Sequence, residues 1–322
     1  MLTAAIAGYG NWGRKLVASV AGKSDELRFG VIVSRNPDRV AEDAARLGAA
    51  VVTTLEEALA HPSVEAVVLA TPHSMHAEQV KLCAAAGKPV FVEKPFALTH
   101  DSAAEALACC PADMVVAAGH NRRFLPSVTR LAEEIAAGTL GDILFAETNF
   151  SGNVVGKYAP GQWRSSGAES PAGGLAGAGI HMIDLIVHLM APISAVVSLS
   201  DRQVLEIEMD DTTAALLRLE NGASATLVSI MATVPTFRAK FHGTRASAEL
   251  DGETRLILTR PGDAPEIIDF DPVETERLEL EAFAAAIAGG RAYPVSRGEI
   301  LNGIKAFEAV GASAEVGGWV TL

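Results

Sequence analysis

Leu2-Thr3-Ala4-Ala5-Ile6-Ala7-Gly8-Tyr9-Gly10-Asn11-Trp12-Gly13-Arg14 opens the chain, and its reading decides the fold. Leu2 to Ala7 is an apolar run, Gly8 to Gly13 carries the spacing G-x-G-x-x-G, and residues 14–20 form an amphipathic stretch. Strand, tight turn and helix in that order are the context in which this spacing binds a dinucleotide. Gly8 allows the turn out of the strand, Gly10 lets a pyrophosphate approach the backbone, and Gly13 lets the helix pack close. The helix N-terminus offers unpaired N–H groups and a positive dipole end to phosphates. Asn11 and Trp12, between the glycines, are counted with this cofactor loop. A glycine-rich turn of no function is the alternative, and the repeating units downstream weigh against it.

Those units read as strands at 28–33, 50–53, 64–70, 89–92 and 114–118, alternating with helices at 38–47, 55–60, 77–86 and 99–110. The alternation predicts an α/β protein whose N-terminal domain, residues 1–122, is a Rossmann doubly wound parallel sheet. Ligands bind such sheets outside the strand C-termini. Thr71-Pro72 through His76, Glu93-Lys94-Pro95 and Gly119 through Arg123 fall there.

After Pro126 the pattern changes to a helix at 127–137, a strand at 142–150, a loop-rich stretch at 151–179 and a helix at 180–190. Alternating strands follow at 193–200, 212–219, 223–230, 237–243 and 246–250, with more strand at 256–259. Asn221-Gly222 is a hairpin signal. Helices at 274–288 and 298–314 close the chain. Residues 123–322 are therefore expected to form a C-terminal α/β domain with a large mixed, mostly antiparallel sheet. Its open face is a candidate homodimer or homotetramer interface.

The 322 residues exceed what one core usually supports, which fits two domains. A net charge of −13 argues against nucleic-acid partners, and no apolar run is long enough to span a bilayer. Three cysteines make no disulfide framework, and no signal-peptide pattern precedes the first strand, so a cytoplasmic protein is expected.

NAD-binding units place Asp or Glu at the end of the second strand, roughly 20 residues past the glycines. Here that point is Ser34-Arg35-Asn36, with Arg39 a turn further on. Ser34 can donate to a 2′-phosphate and Arg35 and Arg39 can pair with it, so NADP is expected ahead of NAD. Asp38 stands nearby as a helix N-cap.

Lys94 at a strand end can hydrogen-bond and polarise a substrate oxygen, or be an ordinary surface lysine. His181 and Asp184, spaced i, i+3, share a helix face, and a histidine there can exchange a proton near neutral pH. His188 extends that face, but metal binding ranks well below proton transfer, and no metal is expected. His73 and His76 can touch cofactor or substrate, or serve the turn. Arg122 and Arg123 can meet an anionic substrate or neighbouring carboxylates.

The chain resembles the glucose–fructose oxidoreductase, inositol dehydrogenase and MocA family (Gfo/Idh/MocA). The likeness rests on the fingerprint, Thr71-Pro72 with His76, Glu93-Lys94-Pro95, Gly119 to Phe124, Trp163-Arg164, and Gly173-Gly174 through His181 to Asp184. It implies a Rossmann domain joined to an α/β domain. It also implies hydride transfer between a nicotinamide and a carbinol or carbonyl of a small polar substrate such as a sugar, cyclitol, dihydrodiol or ketone. Lys94 and His181 are the implied catalytic pair. Thr71, Pro72, His76, Glu93 and Lys94 join the cofactor site, and Arg122, Arg123, Trp163, Arg164 and Asp184 join the substrate site. One departure stands out: the family's D-x-G-x-H has Gly177 at its aspartate position, and Asp184 is a candidate substitute. A non-catalytic NAD(P)-binding regulator and an NAD-dependent glycosidase are the alternative readings.

Overall fold

The computed structural model describes residues 1–322 and divides into two units, residues 1–121 with 274–300, and residues 122–273 with 301–322. The first unit runs β1 (Leu2–Ala7), α1 (Asn11–Val20), β2 (Leu27–Val33), α2 (Ala41–Leu47), β3 (Ala50–Val52), α3 (Leu55–Ala60), β4 (Ala66–Leu69), α4 (His76–Ala85), β5 (Val90–Glu93), α5 (His100–Ala108) and β6 (Val116–Gly119). Its six strands are all parallel, in the order β3-β2-β1-β4-β5-β6, the doubly wound arrangement expected. β1, β4 and β5 are apolar almost throughout because helices cover both faces. The register aligns Ala7 with Val33 and Leu69, Leu69 with Val92, and Glu93 with Gly119. Gly8, Ser34, Thr71, Lys94 and His120 therefore all leave the sheet at one edge.

The second unit contains α6 (Pro126–Ala136), β7 (Ile143–Asn153), α7 (Gly179–Leu189), β8 (Ile193–Asp201), β9 (Thr212–Leu219), β10 (Ser224–Ile230), β11 (Ala232–Gly243), β12 (Ser247–Asp251), β13 (Arg255–Thr259) and β14 (Glu266–Asp269). After α8 (Thr275–Ile287) and α9 (Arg297–Val316), β15 (Val320–Thr321) completes a nine-stranded sheet ordered β14-β13-β12-β11-β7-β10-β9-β8-β15. β7 and β10 pair parallel and the other neighbours antiparallel, so the sheet is mixed and mostly antiparallel as expected. α7 lies on β7 and β10. Gly179 permits this approach, since a Cβ there would stand 2.8 Å from Leu175 Cδ1 and 3.2 Å from Ser229 Cβ. No helix is long and apolar enough to cross a membrane.

Three details differ from the sequence reading. α8 belongs with the first unit, so the division is not a single cut after residue 122. The reason is its apolar stripe: Leu280, Phe283 and Ala284 join the core formed by Leu16, Phe29 and Phe91, and Lys15 pairs with Glu276 at 2.6 Å. β11 begins at Ala232 rather than 237, because a register shift between Ala232 and Thr236 accommodates Pro235. β14 and β15 were not expected; one is a four-residue edge strand with exposed ends, the other two residues long.

Candidate cofactor and catalytic sites

The fingerprint glycines differ in what surrounds them. Gly8 has φ +92°, and a Cβ on it would collide with the Ala70 carbonyl and the Thr71 nitrogen at the end of β4. A Cβ on Gly13 would collide with the Gly8 carbonyl. Around Gly10 nothing lies within 4 Å of where a Cβ would be. The turn is thus pressed tight on two sides and open on the third. Gly10 is also the N-cap of α1 and supplies no side chain to its first N–H groups. A crowded turn, an open middle glycine and an uncapped helix start are what a dinucleotide pyrophosphate requires, so these residues fit the implied cofactor.

At the end of β2, Ser34 turns inward on its own loop, its hydroxyl donating to the Asn36 carbonyl at 2.9 Å. Arg35 and Arg39 are exposed. Arg14, just past the last fingerprint glycine, pairs with Asp43 and donates to the Arg39 carbonyl at 3.2 Å. The sequence reading overlooked Arg14.

At the end of β5, Lys94 is half-buried and its backbone N–H donates to Glu93 Oε2 at 3.3 Å. Glu93 is 5 % exposed, and Gly119 opposite leaves it room, since a Cβ there would stand 3.2 Å from its Cδ. Burial pushes the Glu93 carboxyl up to about 7 against the opposing influence of the Trp12 indole and the Lys94 charge, with Glu276 adding to the rise. Glu276 in turn accepts from Asn121 Nδ2 at 3.1 Å and Lys15 Nζ at 2.6 Å. Glu93 is therefore a buried brace behind the turn that carries Lys94.

His76 is fully buried, with Nδ1 2.8 Å from the Pro95 carbonyl and Nε2 3.1 Å from the Thr71 carbonyl. It thereby stitches together the loops after β4 and β5, the turn role that was the alternative to cofactor contact. Thr71 Oγ1 donates to Gln79 Oε1 at 2.6 Å, and Pro72 precedes the turn into α4.

In the second unit His181 lies in the first turn of α7, 4 % exposed, with its ring 5.7 Å from that of Phe150. Arg122 covers Phe150 and Phe237 at 5.4 and 5.9 Å and pairs with Glu253 at 3.0 Å. His181, Phe150, Phe237, Arg122 and Glu253 thus form one cluster, of which sequence reasoning missed Phe150, Phe237 and Glu253. Arg164 stacks on Trp163 at 4.1 Å.

Arg123 and Asp184 are brought together, but with each other. Arg123 Nε lies 2.9 and 3.1 Å from the two Asp184 oxygens and Nη2 lies 2.7 Å from Oδ1, while Nη1 faces His188 Nδ1 at 3.2 Å. The Arg123 side chain is 1 % and that of Asp184 5 % exposed. Of the two readings of Arg123, anionic-substrate contact or pairing with a neighbouring carboxylate, the geometry displays the second, and Asp184 is the carboxylate it holds. Gly177 itself has room: a Cβ there would meet only the Gly174 carbonyl, at 3.7 Å.

The loop before α7 is held by a residue the sequence reading also passed over. Asp211 Oδ2 accepts the N–H groups of Gln203, Val204 and Leu205 at 2.9, 2.7 and 3.0 Å. That turn carries Leu205, Ile207 and Met209 onto Ala178 and Met231.

Comparison with known proteins bears on both units. Residues 2–120 match the family described as "Oxidoreductase family, NAD-binding Rossmann fold", and residues 128–249 match the GFO/IDH/MocA C-terminal domain. An uncharacterised oxidoreductase of Streptococcus pneumoniae is 33% identical over 153 residues, 47% of this chain and 41% of that protein, so the match spans less than half its length. The D-xylose 1-dehydrogenase (NADP(+)) 2 of Haloferax volcanii is 27% identical over 93% of this chain and 94% of its own. A crystal structure from Desulfitobacterium hafniense, provisionally assigned as an NADPH-dependent oxidoreductase, superposes with a TM-score of 0.90 at 26% identity, covering 99% of this chain and 96% of that one.

Proposed function

The chain belongs to the Gfo/Idh/MocA family of NAD(P)-dependent oxidoreductases, and from that premise we propose that it is a dehydrogenase of sugar-like CH–OH groups that uses NADP. The observation that carries the cofactor site is the contrast at the fingerprint, with no space at Gly8 and Gly13 and open space at Gly10. Gly8, Gly10, Asn11, Trp12 and Gly13 would hold the pyrophosphate, and Ser34, Arg35 and Arg39 the 2′-phosphate. The exposed Arg35 and Arg39 favour NADP over NAD, since NAD-selective loops carry a carboxylate at this point. The nicotinamide, when bound, gives or takes the hydride.

Lys94 donates an N–H to the substrate oxygen and stabilises the negative charge that develops on it. His181 exchanges the hydroxyl proton. The aromatic wall of Phe150 limits where the imidazole can turn, and Arg122, Trp163 and Arg164 contribute to holding the polar substrate. A sugar or cyclitol suits this set, and the xylose dehydrogenase relative supports it. We further propose a cytoplasmic homodimer or homotetramer. The buried free thiols of Cys83 and Cys110 support a reducing compartment. Leu199 and Leu216, 70 % and 38 % exposed on the outward rows of β8 and β9, support association through that face.

The test is a pair of variants. Lys94→Ala and His181→Ala should each lower kcat about 10²–10⁴-fold while the Kd for NADP(H) stays near the wild-type value. Near-normal turnover in either variant would remove that residue from the mechanism.

A further inference from the structure

We propose that Arg14 is a specificity-determining residue, which secures the preference for a 2′-phosphate by masking the Asp43 carboxylate and fixing the loop between β2 and α2. The inference rests on the NADP reading and names a residue that this reading does not use.

Arg14 reaches three partners. Its guanidinium pairs with Asp43, donates through Nη2 to the Arg39 carbonyl at 3.2 Å, and lies 4.6 Å over the ring of Tyr9, inside the fingerprint. It therefore joins the glycine turn, the β2–α2 loop and the first turn of α2. Asp43 also pairs with Arg46 at 2.5 Å, and its side chain is 20 % exposed. Two guanidinium groups thus hold one carboxylate, in the first turn of the helix that follows the loop bearing Arg35 and Arg39.

The charges of this segment explain why that matters. Four arginines, Arg14, Arg35, Arg39 and Arg46, stand in the balance against three acids, Asp38, Glu42 and Asp43. Asp38 and Glu42 are exposed and screened by water and salt. Asp43 is the less exposed acid, so its charge acts through a medium that screens it less. Masked, it leaves the loop net basic toward a phosphate dianion. Unmasked, it opposes the phosphate, and the Arg39 carbonyl loses a donor that orders the loop. A ligand carrying a ribose 2′-OH in place of the phosphate feels neither penalty to the same degree.

Calorimetric titration of the full chain with 2′,5′-ADP and with 5′-AMP, which lacks only the 2′-phosphate, reads this without turnover. The wild type should bind 2′,5′-ADP more tightly. Arg14→Leu should shrink the ratio of the two affinities about tenfold, mainly through 2′,5′-ADP. Asp43→Asn alone should keep or widen the ratio, and Arg14→Leu combined with Asp43→Asn should recover most of it. An equal loss for both nucleotides in Arg14→Leu would overturn the inference, because direct contact with the 5′-phosphate that both carry would then explain it. So would a double variant no better than Arg14→Leu. A wild type without preference for 2′,5′-ADP would instead overturn the NADP reading, and the inference with it. Asp43→Asn keeps the test decisive if Arg14→Leu folds poorly, since a narrowed ratio in that variant contradicts masking.

Discussion

Replacing Asp184 by alanine tests whether this residue is part of the chemistry or of the frame around it. The substitution strips Arg123 of a carboxylate that takes contacts at 2.7, 2.9 and 3.1 Å. Arg123 cannot respond by losing its proton, and with 1 % of its side chain exposed it cannot reach water without unpacking. Breaking a buried pair by removing one partner typically costs about 3–5 kcal/mol. Spread over a unit of this size, that is a fall of on the order of 10 °C in the unfolding midpoint. Asp184→Asn keeps an oxygen acceptor and should cost less, about 1–3 kcal/mol. Differential scanning calorimetry of the three proteins reads the midpoints, and turnover per folded molecule is measured well below them. The reasoning predicts a large thermal loss in the alanine variant with kcat of the folded fraction reduced far less than in His181→Ala. An alanine variant within about 1 kcal/mol of wild type that has lost its turnover would refute it and return Asp184 to the role of proton partner.

Gly10→Val should leave the midpoint nearly unchanged, since nothing lies within 4 Å of its Cβ, yet abolish NADP(H) binding; unchanged affinity by fluorescence titration would contradict the assignment of the loop. Burial pushes the Glu93 carboxyl up from its ordinary 4.5 to about 7, so the folded state holds the extra proton and stability should fall as pH rises from about 4.5 through 7. Glu93→Gln should remove up to about 3 kcal/mol of that dependence, and a midpoint-versus-pH slope unchanged by the substitution would exclude the buried carboxyl as its source. Gly177→Asp fits without a clash and places a carboxylate four residues before His181, which should favour the protonated imidazole and move the acidic limb of the kcat profile upward. An unmoved limb would show that the two groups do not interact.

Much of the fold was legible because local and global signals agree in the first unit. The run Leu2–Ala7 is buried on both faces, and the glycine spacing after it has steric causes that a sequence displays directly. The second sheet was legible where strands alternate, as in β9, and illegible where they are short and at the edge, as in β14 and β15. The destination of α8 was hidden, because an apolar stripe such as Leu280 and Phe283 states that a helix is covered without stating by what. The same limit applies to polar residues. Lys94 and His181 are singled out by their place in motifs. The motifs equally drew in His76, Arg123 and Asp184, whose partners are main-chain carbonyls and one another. Arg14 and Asp211 carry no motif at all, and their roles arise from contacts 29 residues apart in one case and from a cluster of backbone N–H groups in the other.

The most direct measurement is the absorbance of reduced nicotinamide when the protein is mixed with NADP and a panel of sugars, cyclitols and diols, with Lys94→Ala run alongside. The account predicts NADPH formation matched mole for mole by oxidised product for at least one compound, and near-background rates in the variant. Cofactor binding with no absorbance change on any compound would contradict it and indicate a regulator. Cleavage of a glycoside with no net NADPH would contradict it in favour of a glycosidase.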